Sequence, residues 1–345
     1  MTLEISISKH DLKEITEFIH KKRGLDLSYF KPAFLSRRIG IRMKMLNMNS
    51  SSQYAELLNS NLNEIGTLYD SLSINVTKFY RDKQVWQVFG NKIIPNLLKD
   101  TKPNEKLRIW SCGCASGEEP YSLAIMFSEV FKNPINKFKI LATDINSNSI
   151  QHARSGIYSL DNLKNLDALL ISKYFQKTND GKYKIIDQIK NLVSFNHADI
   201  TTYPISYLDI IFCRNLLIYY GKDAQDLIFK KFHAVLKPNK YLVLGMDETL
   251  WGHKLQNSFL SLNPKDRIYQ KKLSIESKSS SVFNKNNKLS TERLSNFVGG
   301  KKKWKISLIK LLEKRGLDFL KMYVHAEQTQ NYYRIKGNKN NAKEV

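Results

Sequence analysis

Glu118 and Glu119 follow a run of small residues, Gly113-Cys114-Ala115-Ser116-Gly117, and open an apolar-periodic stretch through Leu123, Ala124, Met126, Phe127 and Val130. The preceding Leu107-Arg108-Ile109-Trp110-Ser111 reads as a short buried strand. Strand, small-residue loop and helix bring a ligand against bare backbone at the carboxyl end of the strand. Pro120 falls in the first helical turn, where its missing N–H costs nothing. The G-x-x-x-G spacing is not the dinucleotide fingerprint, and no Gly-Lys-Ser/Thr follows to make a phosphate loop. Two acids where a helix N-terminus would welcome phosphate suit a cation instead, such as the sulfonium of S-adenosylmethionine. Acids in a first turn also satisfy the helix dipole alone, and the motif by itself does not separate these readings.

Phe138-Lys139-Ile140-Leu141-Ala142-Thr143-Asp144 is a second strand ending in an acid. In nucleotide-type folds such an acid takes ribose hydroxyls; the alternative is an N-cap for the helix through Ile150 and Ala153. Asp144 lies farther past Gly113 than the ~20 residues of the dinucleotide unit, so the first helix is long or its connection extended. Leu208-Asp209-Ile210-Ile211-Phe212 is nearly all apolar, as a buried parallel strand requires. It empties into Cys213-Arg214-Asn215-Leu216-Leu217-Ile218-Tyr219-Tyr220, so a charged and an amide residue stand at the ligand edge of the sheet.

These groups need an α/β scaffold. Residues 1–72 read as a small helical bundle: Leu12, Ile15, Phe18 and Ile19 share one helical face, and Tyr54, Leu57 and Leu58 another, with Ser50-Ser51-Ser52 as a helix start. Between them, Phe34, Leu35, Ile39, Met43 and Leu46 make an apolar stripe. Lys31, Arg37, Arg38, Arg42 and Lys44 make a basic one with no acid in the segment, either a solvated face or a docking face for an acidic partner. Residues 73–82 form a hinge, with Asn75 and Thr77 as turn and cap types, before a helix over 83–98. Residues 73–272 form the α/β domain. Within it, Asn179-Asp180-Gly181 marks the turn of an inserted hairpin over about 173–190. Val193-Ser194-Phe195 with Asp199-Ile200 just beyond, and Tyr241-Leu242-Val243-Leu244-Gly245, continue the strands. Arg267-Ile268-Tyr269-Gln270 is expected to close the sheet antiparallel.

The 345 residues are 42% hydrophobic, and 55 Lys and Arg against 32 Asp and Glu leave a net charge of +23, enough for two or three domains with a real core and an acidic partner. Cys112, Cys114 and Cys213 make neither a disulfide framework nor a zinc pattern, so no metal is expected, and reduced thiols point to a cytoplasmic protein. Residues 1–10 lack a signal-peptide core, and no apolar run approaches the ~20 residues of a membrane span. Residues 273–345 are basic and rich in Ser and Asn, and partial disorder is expected. A helix over 303–324, with Trp304, Leu308, Leu311 and Leu312 on one face, suits an anionic membrane surface, a partner groove or folding back on the globule.

Four stretches together resemble the CheR family of chemotaxis receptor methyltransferases: residues 73–82, Cys114-Ala115-Ser116-Gly117-Glu118-Glu119-Pro120-Tyr121-Ser122-Leu123, residues 142–158 with Ala142-Thr143-Asp144-Ile145 and Ala153-Arg154-Ser155-Gly156-Ile157-Tyr158, and residues 211–220. The resemblance covers roughly residues 5–271. It implies a helical bundle followed by a doubly wound, Rossmann-like S-adenosylmethionine-dependent methyltransferase domain with a small β insert. It also implies methylation of glutamate carboxylates on chemotaxis receptors, giving glutamyl methyl esters. By the same resemblance Asn75, Thr77 and Arg81 contact the cofactor from the hinge, Gly113 lies in the loop beneath it, and Glu118 holds the methionine ammonium or nearby groups. Asp144 holds the ribose, and Asp199 and Ile200 border the adenine, with Asp199 standing where the family usually has Asn. Arg214 and Asn215 line cofactor and substrate, with Arg214 and Tyr219 as catalytic candidates, and Arg37, Arg38, Arg42 and Lys44 dock the receptor. The hairpin near Gly181 is short beside members that grip a receptor's C-terminal peptide there. A monomer is expected. A nucleic-acid methyltransferase, favoured by the charge alone, lacks its Asn/Asp-Pro-Pro-Tyr/Phe loop at Cys213-Arg214-Asn215; a non-catalytic cofactor-binding adaptor is the remaining alternative.

Overall fold

The computed structural model describes residues 7–102, 105–131 and 134–273; the helix expected over 303–324 lies outside the described residues. Four helices come first: α1 (Lys9–Arg23), α2 (Pro32–Met45), α3 (Ser51–Ser60) and α4 (Leu62–Ser71). Ser8 caps α1, and Gly24 ends it in the left-handed region at φ 68°. Pro32 opens α2, where no N–H is needed. Ser50 and Asn61 cap α3 and α4 with their side chains. The stripe Leu35, Ile39 and Met43 is buried.

After the hinge, α5 (Lys83–Val88) runs through a widened π turn at Phe89–Ile93 into α6 (Ile94–Asp100). Pro95 follows that turn, and its missing N–H leaves the carbonyl one turn back free to be bridged more loosely. The α/β part then alternates: β1 (Leu107–Cys112), α7 (Glu118–Val130), β2 (Phe138–Asp144) and α8 (Ser147–Ser155). α7 is an ordinary helix of 13 residues, so no long helix makes up the distance from Gly113 to Asp144. An insert follows with β3 (Ile157–Tyr158), α9 (Ala168–Tyr174), β4 (Phe175–Lys177) and β5 (Tyr183–Ile185), the strands forming an antiparallel sheet in the order β3-β5-β4. The hairpin thus gains a third strand. α10 (Asp187–Lys190), β6 (Val193–His197), β7 (Leu208–Cys213), α11 (Lys222–Val235), β8 (Leu236–Leu244), β9 (Phe259–Asn263) and β10 (Ile268–Lys271) complete the described chain.

The main sheet has the order β6-β2-β1-β7-β8-β10-β9. The strands β6, β2, β1, β7 and β8 are parallel, and β10 and β9 are antiparallel. β10 is therefore not the closing strand as expected: β9 is the edge. Leu260 and Leu262 of β9 remain exposed, so its sequence carries no burial alternation to announce it. The strand order reverses between β1 and β7, and a crevice at their carboxyl ends is where doubly wound sheets bind ligands.

Both sheet faces are covered. One carries Trp110, edge-on to Phe232 of α11 at 5.8 Å, and its core is continuous with that of α1–α4. On the other, Trp86 and Phe89 pack against Phe212 at 5.4 and 4.9 Å. The helical layer is tied to the crevice by backbone. Phe30 bridges Tyr220, Lys31 N–H donates to the Tyr219 carbonyl, and Gly221 N–H donates to that of Tyr29.

Candidate functional site

Two adjoining pockets lie at the carboxyl ends of β1, β2 and β7, sharing Ile74, Gly113, Ala115, Asn215 and Tyr219 as walls. The first is apolar on one side, with Phe30, Leu72, Ile145, Ile200 and Tyr220, and carries Ser73 and Asp144 on the other. The second is charged, with Lys78, Arg81, Glu119 and Arg214 beside Val76 and Ile218.

The β1 loop is held from β2. Gly113 and Cys114 N–H both donate to the Thr143 carbonyl, and Ala115 N–H donates to Asp144 Oδ2 at 2.8 Å. Gly113 sits at φ 67°, and a Cβ there would meet Leu216 at 3.0 Å, so any side chain would be strained and crowded. Asp144 Oδ1 accepts Asn146 N–H at 2.9 Å and Ser73 Oγ at 3.1 Å. The N-cap of α8 is Asn146, not Asp144: its side chain accepts from Ser149 N–H. Asp144 therefore keeps acceptor capacity toward the first pocket.

Arg214 is almost wholly buried. Its Nη2 lies 2.5 Å from Asp82 Oδ2, its Nη1 donates to the Arg81 carbonyl at 3.2 Å and stands 3.7 Å from Glu119 Oε2. Its buried Nε has no hydrogen-bond partner. Arg81 reaches back across the hinge and donates to the Val76 carbonyl at 2.6 Å. Tyr219, on both walls, packs on Phe34 of α2 with ring centres 4.8 Å apart. Thr77 lines the second pocket.

Burial pushes the carboxyls of Glu119 and Asp144 above the usual range. Arg214 and Ser111 pull Glu119 back, and the Asn146 and Ala115 amides pull Asp144 back. Burial also raises the Tyr219 hydroxyl, with Arg81 opposing.

Several expected residues lie elsewhere. Glu118 is on neither wall: its oxygens accept Ser116 Oγ at 2.7 Å and Asn162 Nδ2 at 2.9 Å. The wall acid is its neighbour Glu119, one residue on and about 100° around the helix. Asn75 is exposed, off both walls, and accepts from Ser73 Oγ. Asp199 accepts the Tyr69 hydroxyl at 2.8 Å and Thr201 N–H at 2.7 Å, tying α4 to the sheet, while its neighbour Ile200 faces the pocket. Arg42 does not belong to an open basic stripe. It forks onto Glu64 of α4 at 2.9 and 2.7 Å, with Tyr54 completing the cluster. Arg37 and Lys44 are exposed and Arg38 is half-buried near Tyr219, its Nε without a partner. Pocket walls that the sequence did not suggest include Phe30 and Leu72.

An apolar recess beside a carboxylate, adjoining a cavity with both charge signs, suits a nucleoside joined to a charged amino-acid end. Buried carboxylates on both walls disfavour phosphate. Residues 75–265 match the family described as CheR methyltransferase, SAM binding domain, and residues 10–73 match CheR methyltransferase, all-alpha domain. A chemotaxis protein methyltransferase of Borreliella burgdorferi is 34% identical over 261 residues, covering 73% of this chain and 92% of its own length. Chemotaxis protein methyltransferase 2 of Vibrio cholerae is 30% identical over 254 residues, 72% and 88% of the two chains. The corresponding protein of Escherichia coli is 28% identical over 257 residues, 72% and 87%.

Proposed function

The chain belongs to the CheR methyltransferase family and is an S-adenosylmethionine-dependent chemotaxis protein methyltransferase, and from that premise we propose that its acceptors are glutamate carboxylates of chemotaxis receptors, brought to Arg214 in the charged pocket. The observation that carries this reading is the charged pocket itself: a buried guanidinium between two acids, beside an apolar recess that carries Asp144 on its wall.

Asp144 would accept from the ribose, Ile145 and Ile200 would flank the base, and Glu119 would face the cationic end. When bound, S-adenosylmethionine supplies a methyl carbon with a built-in leaving group. A glutamate carboxylate, with an ordinary pKa near 4.3, is already ionised at neutral pH, so the chain needs no general base. What remains for the chain is placement and exclusion of water, worth on the order of 7–11 kcal/mol for well-oriented groups. Arg214 orients the carboxylate, Tyr219 bounds it from the α2 side, and Ile74 and Val76 add apolar wall beside it.

The helical layer gives the receptor its approach. Arg37 and Lys44 are free on α2, whose Phe34 abuts Tyr219, so an acidic helix laid along α2 would reach the pocket. Charge reversal of both residues is expected to raise the receptor KM several-fold, more at low salt, with unchanged affinity for S-adenosylhomocysteine by calorimetry. Unchanged KM would remove α2 from docking. Arg42 belongs outside this test, since its loss would strand the buried Glu64 and lower stability instead.

Among the described residues no helix is long and apolar enough to cross a membrane, and the three cysteines are buried free thiols. These support a cytoplasmic site of action. The deciding experiment supplies methyl-labelled S-adenosylmethionine with receptor-containing membranes or with RNA. Label released from the receptor fraction as volatile methanol by base is the expected result, because carboxyl esters hydrolyse that way. Base-stable label, or label in RNA, would overturn the proposal.

A further inference from the structure

Beyond β8 the chain carries a buried acid that no motif singles out. Glu248 is 4% exposed, and its two oxygens accept four backbone N–H groups. Oε1 takes Leu216 at 2.8 Å and Leu217 at 2.6 Å; Oε2 takes Asn215 at 3.1 Å and Gly245 at 2.6 Å. Three of these donors belong to the loop after β7, which supplies Asn215, Leu216 and Tyr219 to the pocket walls. Asn215 is held at φ 59°, a region that non-glycine residues enter at some cost. Leu216 fills the space a side chain on Gly113 would need. Gly245 is required from the other side, since a Cβ there would stand 2.6 Å from Asn215 N and 2.8 Å from Glu248 Oε2.

Converging peptide N–H groups form an anion-binding concavity. Here the chain fills it with its own carboxylate. We propose that Glu248 is a positioning residue for methyl transfer: it fixes the backbone of residues 215–217, and so the shared wall of both pockets, before any ligand arrives. The inference rests on reading those pockets as the S-adenosylmethionine site. A glutamine at 248 keeps the size but not the function. Whichever way its amide turns, two of the four N–H groups face another N–H donor.

The test compares the wild type with Glu248→Gln, Gly245→Ala and a control, Asp209→Asn. Asp209 is a buried carboxylate at the opposite end of β7, bonded to Arg108 N–H and Lys237, so its loss weakens the fold away from the pockets. Calorimetry with S-adenosylhomocysteine should show at least tenfold weaker binding for Glu248→Gln and Gly245→Ala. Amide exchange at residues 216 and 217, measured without ligand, should be at least tenfold faster in both. Asp209→Asn should melt at lower temperature and bind as the wild type does. Wild-type affinity and exchange in Glu248→Gln overturn the proposal, as does loss of affinity in Asp209→Asn in step with its stability. If Glu248→Gln does not fold, Gly245→Ala decides by the same two readings. Failure of the wild type to bind S-adenosylhomocysteine would refute the proposed function, while the exchange data would still judge the loop.

Discussion

Arg214→Ala is expected to lower receptor methylation by at least about 100-fold, the penalty for a reacting group misplaced by about 1 Å, with a much smaller change in affinity for S-adenosylhomocysteine. The guanidinium lies between Asp82 at 2.5 Å and Glu119 at 3.7 Å, so its charge is already shared with two acids. A carboxylate arriving there is oriented without being held tightly in its ionised ground state, which favours the transition state over the bound substrate. The same two acids make the side chain structural as well. Removing it should reduce stability by less than the ~3–5 kcal/mol of a fully buried broken pair, because Asp82 is 36% exposed. It also removes the main counterweight to burial at Glu119, whose carboxyl then rises further. Arg214→Lys separates the two roles. An ammonium restores the charge but cannot reach Asp82, Glu119 and the Arg81 carbonyl with one rigid fork, so stability should largely return and turnover should not. Recovery of turnover in the lysine variant would reduce Arg214 to a counter-charge.

Where the sequence was informative, burial and chemistry coincided. β1 and β7 are apolar because they are central strands, so Asp144, at the end of the neighbouring β2, and Arg214, directly after β7, stood out as polar groups with a reason to be there. The hinge was legible from Asn75 and Thr77, yet only Thr77 faces a pocket, because turn chemistry does not say which way a loop's side chains point. Glu118 and Glu119 were indistinguishable as adjacent acids; only the rotation of α7 against the sheet chooses between them. Arg42 looked free because its segment contains no acid, and its partner Glu64 comes from the next helix but one. Glu248 follows a strand without periodicity or motif, and its meaning arises only when β7 and β8 pair and bring their exit loops together.

Asp144→Asn should weaken S-adenosylhomocysteine binding by roughly 100-fold. One lost hydrogen bond to a charged group accounts for about 1.5–3 kcal/mol, or about 10- to 150-fold. The β1 loop adds to this: Ala115, at φ 45°, is held by Asp144 Oδ2, and an amide cannot serve the Ala115 and Asn146 N–H groups from both its ends. The pH dependence should carry opposite signs for binding and for folding. Burial raises the Asp144 pKa in the folded chain above its unfolded value, so the folded form binds more protons, and stability from this group falls as pH rises through that interval. The melting temperature of the wild type minus that of Asp144→Asn should therefore decrease as pH rises. Ligand affinity should move the other way, because the ribose hydroxyls need the ionised acceptor, and should fall more steeply as pH is lowered in the wild type than in Asp144→Asn, since Glu119, also raised by burial, contributes to both. Parallel pH profiles for affinity in the wild type and Asp144→Asn would show that Asp144 supports the loop without touching the ligand.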